Sequence, residues 1–261
     1  MDEVLGQTIE ELVSETEALV PIITFNQDLD GILGGGIALQ KVTELFGESG
    51  VGKTTLCCQL ALDVQIPVSL GGFESECLFI DTENTFLKER VRRMAEECAS
   101  HCRNIEPSSH LTTESLLNGI HLIRCGTVDE LREIIHDVED YIRVHSKVKL
   151  IVIDSLAFPF YTGTEKFSER GKVLYEIFEK LFRVAVNQSV AIVVTNNMTT
   201  RFTVEGRFEY TIPFLGQIWT HIPNVRLLLE FNGKIRKAKL EKGTPQGRKT
   251  AVFKITSAGI R

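Results

Sequence analysis

Residues 47–54 read GESGVGKT. The types and spacing match the phosphate-binding pattern G-x-x-x-x-G-K-[ST]. A nucleoside triphosphate is a dense anion, and a loop that holds one must turn backbone N–H groups inward. Gly47, Gly50 and Gly52 permit the φ values and the close approach that side chains would block. Glu48, Ser49 and Val51 complete the same cradle, with Thr55 just beyond it. Lys53 would reach the β and γ phosphates of ATP, and the Thr54 hydroxyl would ligate Mg²⁺. The flanks support this chemistry. Residues 42–46 (VTELF) read as a short buried strand, and 53–65 as a helix with Leu56, Leu60 and Val64 on its apolar side. A helix N-terminus behind the loop places its dipole where an anion is favoured.

Phosphoryl transfer needs its metal held from two sides and a group that activates water. Residues 150–154 (LIVID) form a hydrophobic strand ending in a carboxylate, so Asp154 would join Thr54 in holding Mg²⁺. Ser155, and no Glu, follows it. The candidate base is therefore Glu83, in FIDTENTF at the end of the strand after the P-loop helix. The tips of parallel strands share one edge, where ligands bind. Asp81, Thr82 and Glu83 also suit a cap on the following helix; the geometry favours the catalytic assignment. Thr195, Asn196 and Asn197 end the strand after Asp154, where an amide would sense the γ-phosphate.

The elements that must position these groups alternate along the chain. Strands are expected at 42–46, 77–81, 120–124, 148–154 and 190–195, and helices at 53–65, 87–102, 128–144 and near 168–187. Near-continuous apolar strands alternating with helices predict a parallel α/β sheet covered on both faces. After residue 223 the pattern predicts antiparallel strands near 225–231, 235–241 and 250–256, with turns at Asn232-Gly233 and 243–247. Residues 25–37 read as loop-rich. Residues 1–20 read as an amphipathic acidic helix, which divides the chain into a leading segment, 1–24, and a core, 25–261.

Composition narrows the class further. With 43% hydrophobic and 25% charged residues in 261, the chain is an ordinary globular protein with one core. It has no apolar run of about 18 residues and no signal-peptide pattern, which predicts the cytosol or nucleus. The six cysteines form no CxxC pair and read as thiols. The pair Cys98 and Cys102 has no second ligand pair for a metal. Net charge is −6, yet residues 226–261 hold ten Lys/Arg against two Glu. That stretch is either a local basic face for nucleic acid or a set of lysines guarding strand edges.

Together the P-loop, IDTENTF, the LIVID strand and TNN before a long polar loop resemble the RecA-type strand-exchange ATPases, with the eukaryotic Rad-type recombinases and their paralogues the nearest group. ITFNQDLDGILGGGI (23–37), LALDVQIP (60–67), HSKVKLIVIDSLAFPF (145–160) and TNNMTTRF (195–202) are most similar to the C-paralogue branch. The resemblance implies a RecA-like core using ATP and Mg²⁺, with Glu83 activating water and Lys53 assisting at the phosphates. It implies Arg90 against the adenine, Asn197 as sensor and His221 approaching ATP bound between subunits. It also implies two DNA-binding loops. Residues 162–170 supply Arg170. Residues 198–214 supply Arg201 and Arg207 for phosphates, and Phe202 and Phe208 for base stacking. The implied partners are single-stranded or branched DNA and related paralogue subunits, in the nucleus, in recombination and double-strand break repair.

Departures from the family pattern are specific. Its sensor Gln is Asn197 here, one methylene shorter, and the Pro of its ATP-capping segment is displaced to Pro245. Its small helical domain before the core has no counterpart. The F-x-x-A segment by which relatives polymerise occurs only as Phe182–Ala185 within a helix, which reads as packing. These departures predict partnering with related subunits through residues 1–25, without robust self-filaments. Two other classes compete: a nucleotide-locked scaffold with negligible hydrolysis, and a P-loop small-molecule kinase, which would need an Arg-rich lid that is not evident.

Overall fold

The computed structural model describes residues 19–162, 167–202, 209–233, 235–243 and 249–261. Residues 1–18 of the helix expected at 1–20, and Arg207, Phe208 and Pro245, lie outside the described residues. The chain begins with α1 (Gln27–Leu33), β1 (Val42–Gly47), α2 (Lys53–Asp63), β2 (Glu76–Asp81), α3 (Lys88–Ile105), α4 (Thr113–Asn118) and β3 (Ile120–Arg124). It continues with α5 (Val128–Val144), β4 (Val148–Asp154), α6 (Pro159–Thr162), α7 (Phe167–Asn187) and β5 (Ala191–Phe202). It closes with β6 (Glu209–Pro213), α8 (Gly216–Thr220), β7 (Val225–Asn232), β8 (Ile235–Lys242), β9 (Thr250–Phe253), β10 (Ile255–Thr256) and β11 (Gly259–Ile260).

The main sheet has the order β3-β2-β4-β5-β1-β7-β8-β9, with β6 paired to β5. From β3 to β7 neighbouring strands run parallel. β8 and β9 extend the sheet in antiparallel sense. This is the expected α/β core with its antiparallel extension. Alternate residues of each central strand feed two cores. Leu150, Val152, Ala191 and Val193 pack under α2 and α3. Ile151, Ile153, Ile192 and Val194 pack under α5 and α7. Burying both faces explains why these strands read as unbroken apolar runs. Among the described residues no helix is long and apolar enough to cross a membrane.

The structure differs from the sequence expectation in four places. Residues 27–33, read as loop, form α1: the Asn26 side chain accepts from Leu29 N at 2.9 Å and Gly34 ends the helix at φ 79°. α4 starts from a reciprocal cap between Thr112 and Ser115. β5 does not stop at residue 195 but runs to Phe202 and returns as β6, pairing Met198 with Pro213 and Phe202 with Glu209. The last expected strand divides at Lys254 into β9 and the small β10–β11 hairpin.

Ile22 exchanges two 2.8 Å backbone bonds with Ile37 and is buried, as is Thr24, so the segment before residue 25 ends inside the core. In the F-x-x-A stretch Ala185 is buried, while Phe182 is 37% exposed and stacks on Phe178. Lys237 pairs with Glu230 and Lys239 with Glu241 on the extension, so at least these lysines of the basic stretch are neutralised in place.

Candidate nucleotide site

The parallel strands deliver their C-terminal tips to one edge, where Gly47 lies level with Asn197 and Asp81 with Asp154. Four of the sequence-predicted segments therefore meet there. The loop after β1 is shaped by its glycines. A Cβ on Gly47 would sit 2.0 Å from Leu229 O, and Gly50 has φ 77°. Gly52, the N-cap of α2, makes no side-chain cap bond. The first amides of α2 are thus left for an anion. Val51 is buried in the core, so its backbone alone faces the loop, whereas Glu48, Ser49 and Gly50 are exposed.

Lys53 is buried, and its Nζ donates to Gly47 O at 2.8 Å and Glu48 O at 3.0 Å. Burial pulls its pKa down, against the charges of Asp154 and Glu83, which pull it up. The ammonium therefore lies within electrostatic reach of both predicted carboxylates. Cys57 and Cys58 on α2 are buried beside them, and burial holds Cys58 up at about 12, an unreactive thiol.

Asp154 accepts from Thr195 Oγ1 at 2.5 Å through Oδ1. Its Oδ2 is buried without a hydrogen-bond partner among the described residues. Burial pushes this carboxyl up, opposed by the Thr195 and Thr54 hydroxyls beside it. A buried carboxylate oxygen left without a donor, next to Thr54, is the donor set that suits a hard divalent cation.

The trio after β2 divides its labour. Asp81 accepts from Thr85 N and Phe86 N and so holds the turn. Thr82 bonds both the carbonyl and the N–H of Ser155. Glu83 does not cap α3, whose N-cap is Leu87. Glu83 Oε1 accepts instead from Ser155 Oγ at 2.6 Å and from Asn197 Nδ2 at 2.7 Å. The base candidate and the sensor candidate are in direct contact. Ser155 joins them, and its place immediately after Asp154 was the one sequence signal for it.

Arg90 donates from Nη2 to Thr55 Oγ1, which ties it to the residue after Thr54 and turns the Thr55 hydroxyl toward α3. Arg90 also lines a groove with Leu87 and Thr256 at the β10–β11 hairpin. His221 is not brought to this loop. It is the exposed C-cap of α8, just before β7, and Val225 lies level with Thr43 at the opposite edge of the sheet. An approach to nucleotide by His221 would therefore be to that of a neighbouring subunit.

The predicted DNA segments leave from the same strand tips. Arg201 is exposed near the end of β5. Arg170, expected as the cation of the first DNA-binding segment, donates from Nη2 to Phe214 O at 2.8 Å, and its guanidinium lies 4.0 Å from the Phe214 ring centroid. A guanidinium so engaged is a strut between the two segments.

Sequence reasoning missed a second polar group of this region. Glu44 on β1 is fully buried and accepts from Asn196 Nδ2 at 2.7 Å, from Trp219 Nε1 at 2.9 Å and from Arg226 Nε. Its signal was a lone carboxylate in the apolar run VTELF.

Comparison with known proteins agrees with this geometry. The Rad51 family model matches residues 15–261. The chain is 38% identical to the DNA repair protein RAD51 homolog 3 of Cricetulus griseus, over 96% of this chain and 71% of that protein. It is 33% identical to the protein of the same name in Dictyostelium discoideum, over 92% of this chain and 65% of the relative. It is 33% identical to the DNA repair and recombination protein RadA of Metallosphaera sedula, over 98% of this chain and 76% of that one. A P-loop, two carboxylates on neighbouring strand tips and a match over nearly the whole length lead to one conclusion: the chain belongs to the Rad51 family.

Proposed function

We propose that this protein is a DNA-stimulated ATPase of homologous recombination and double-strand break repair. It binds single-stranded or branched DNA and assembles with related paralogue subunits, with ATP at the subunit interface and the nucleus as its place of action. The observation that carries this reading is the contact of Glu83 with Asn197 beside Lys53 and Asp154. It joins the hydrolytic group to the root of the β5–β6 hairpin, from which Arg201 projects. The backbone amides at residues 47–54 and the start of α2 bind the phosphates. Lys53 moves from the Gly47 and Glu48 carbonyls to the β and γ phosphates. Thr54 and Asp154 would hold Mg²⁺, which would supply charge neutralisation at the phosphate oxygens. Glu83 orients the attacking water through Oε2, since Oε1 already accepts from Ser155 and Asn197. Arg90 flanks the base, and His221 approaches the nucleotide of an adjacent subunit. Arg201 and Arg207 meet DNA phosphates, while Phe202 and Phe208 stack on bases.

The same two donors on Glu83 favour a second reading, a nucleotide-locked scaffold with negligible hydrolysis. ATP turnover measured with and without single-stranded DNA, alone and with candidate related subunits, tests both. Stimulation by DNA supports the ATPase. Tight binding with no turnover under any of these conditions supports the scaffold.

A further inference from the structure

Phe214 is the residue at which β6 rejoins the core, and four contacts meet on it. Its N–H donates to Asn197 O at 2.8 Å. Its carbonyl accepts from Arg170 Nη2 at 2.8 Å. Its ring stacks on Tyr161 with centroids 3.7 Å apart and planes at 24°. The Arg170 guanidinium carbon stands 4.0 Å from the same centroid. Two groups that close to one centroid cannot share a face, so the ring is sandwiched between them. Tyr161 belongs to α6 and Arg170 to the first turn of α7. They bracket the segment 162–170, while Phe214 closes the β5–β6 hairpin. Its ring is thus gripped from residues 161 and 170, and its backbone N–H is tied to the root of β5.

The grip reaches the nucleotide site in one step. Asn197 gives its carbonyl to Phe214 and its amide to Glu83. Burial raises the pKa of Tyr161; the Glu83 charge adds to the rise and Arg170 opposes it, so the phenol lies within the field of both. A phenylalanine serving only as core filler would be buried. Phe214 is only half-buried, and both its backbone polar groups are taken by residues from separate segments.

We propose that Phe214 is a positioning residue that locks the two segments into one unit and fastens that unit to the Asn197–Glu83 contact, so that nucleotide state is felt by both segments together. The inference rests on the function proposed above. Coupling of this kind is reciprocal: whatever nucleotide does to DNA affinity, DNA does to nucleotide affinity.

The test is the ratio of affinities for a fluorescent single-stranded oligothymidylate with a non-hydrolysable ATP analogue and with ADP. Phe214→Leu removes the stack but keeps both backbone bonds, and Phe214→Trp restores an aromatic face. The ratio is expected to fall about fivefold or more in Phe214→Leu, to return in Phe214→Trp, and to leave analogue affinity within about twofold of the parent. Should Phe214→Leu fail to fold, Tyr161→Leu at the exposed side of the sandwich carries the same expectation. An unchanged ratio in a folded Phe214→Leu or Tyr161→Leu chain overturns the inference alone, even if both affinities weaken equally. A parent chain whose DNA affinity ignores nucleotide overturns the proposed function and this inference with it.

Discussion

The Asn197 amide donates to Glu83 Oε1 across 2.7 Å, spanning from the tip of β5 to the turn after β2. The family that the sequence resembles uses a Gln at this position, one methylene longer. The shorter side chain still closes the gap, because β5 runs beside β4 and β4 beside β2, bringing the two tips together. Ser155 completes the contact from the strand between them. The proposed γ-phosphate sensor therefore donates directly to the proposed water-orienting carboxylate, and a change at either would be felt by the other.

Lys53→Ala removes the ammonium held by the Gly47 and Glu48 carbonyls. Affinity for an ATP analogue is expected to fall at least ~100-fold, about 3 kcal/mol, as read by calorimetry. Unchanged affinity would contradict the assignment of the P-loop.

Glu83→Gln keeps the size of the side chain and removes its charge. Nucleotide affinity should stay within a few-fold while single-turnover hydrolysis drops by roughly 10²–10⁴. Repair competence that survives this change but not Lys53→Ala would favour the scaffold reading.

Arg201→Ala is expected to weaken binding of single-stranded DNA evenly across sequences. The slope of log affinity against log salt should become shallower by about one unit. A slope equal to that of the parent, measured by anisotropy titrations at several salt concentrations, would remove Arg201 from the DNA surface.

Asp63 supplies a pH prediction. It is buried at the end of α2, and its Oδ2 has no hydrogen-bond partner among the described residues. Burial holds its carboxyl well above the usual range, with Arg261 opposing. An acid whose pKa is raised on folding destabilises the fold when ionised. The penalty is absent below the unfolded pKa and complete above the folded one. Asp63→Asn should therefore raise Tm at pH 8 by several degrees and leave it nearly unchanged at pH 4. A parent and variant whose Tm difference does not grow with pH would exclude this account.

Arg226 is the only charged donor to Glu44 among the described residues, and its guanidinium lies over the Phe46 ring at 4.4 Å. Arg226→Met is expected to cost about 3–5 kcal/mol, because it strands a buried carboxylate. Glu44→Gln combined with Arg226→Met should recover much of that loss. Chemical denaturation of the two singles and the double gives the coupling directly.

Much of this arrangement was written locally in the chain. β3 and β4 were legible to the residue, because their apolar runs are bounded by polar turns. α5 was equally legible, and the structure gives it a reciprocal cap between Thr127 and Glu130. That the loop at 47–54 and Asp154 meet at one sheet edge was legible, because parallel strands carry their C-terminal tips to the same side. What escaped was either small or distant. α1 is seven residues with two acidic side chains, too short for a clear period, although Asn26 was a usable cap signal. The outer half of β5 is polar and is held by pairing with β6, not by burial. The partners of Glu44 stand 152, 175 and 182 residues away, beyond any local pattern.

Those separations bear on how the chain is made. Glu44 is translated inside an apolar strand, whereas Trp219 and Arg226 follow it by 175 and 182 residues. Until then an anion has no cation to meet it in a dry interior, which is costly enough to keep β1 from settling. Closure of β1, whose last glycine opens the candidate nucleotide cradle, would thus wait on a cation 182 residues downstream.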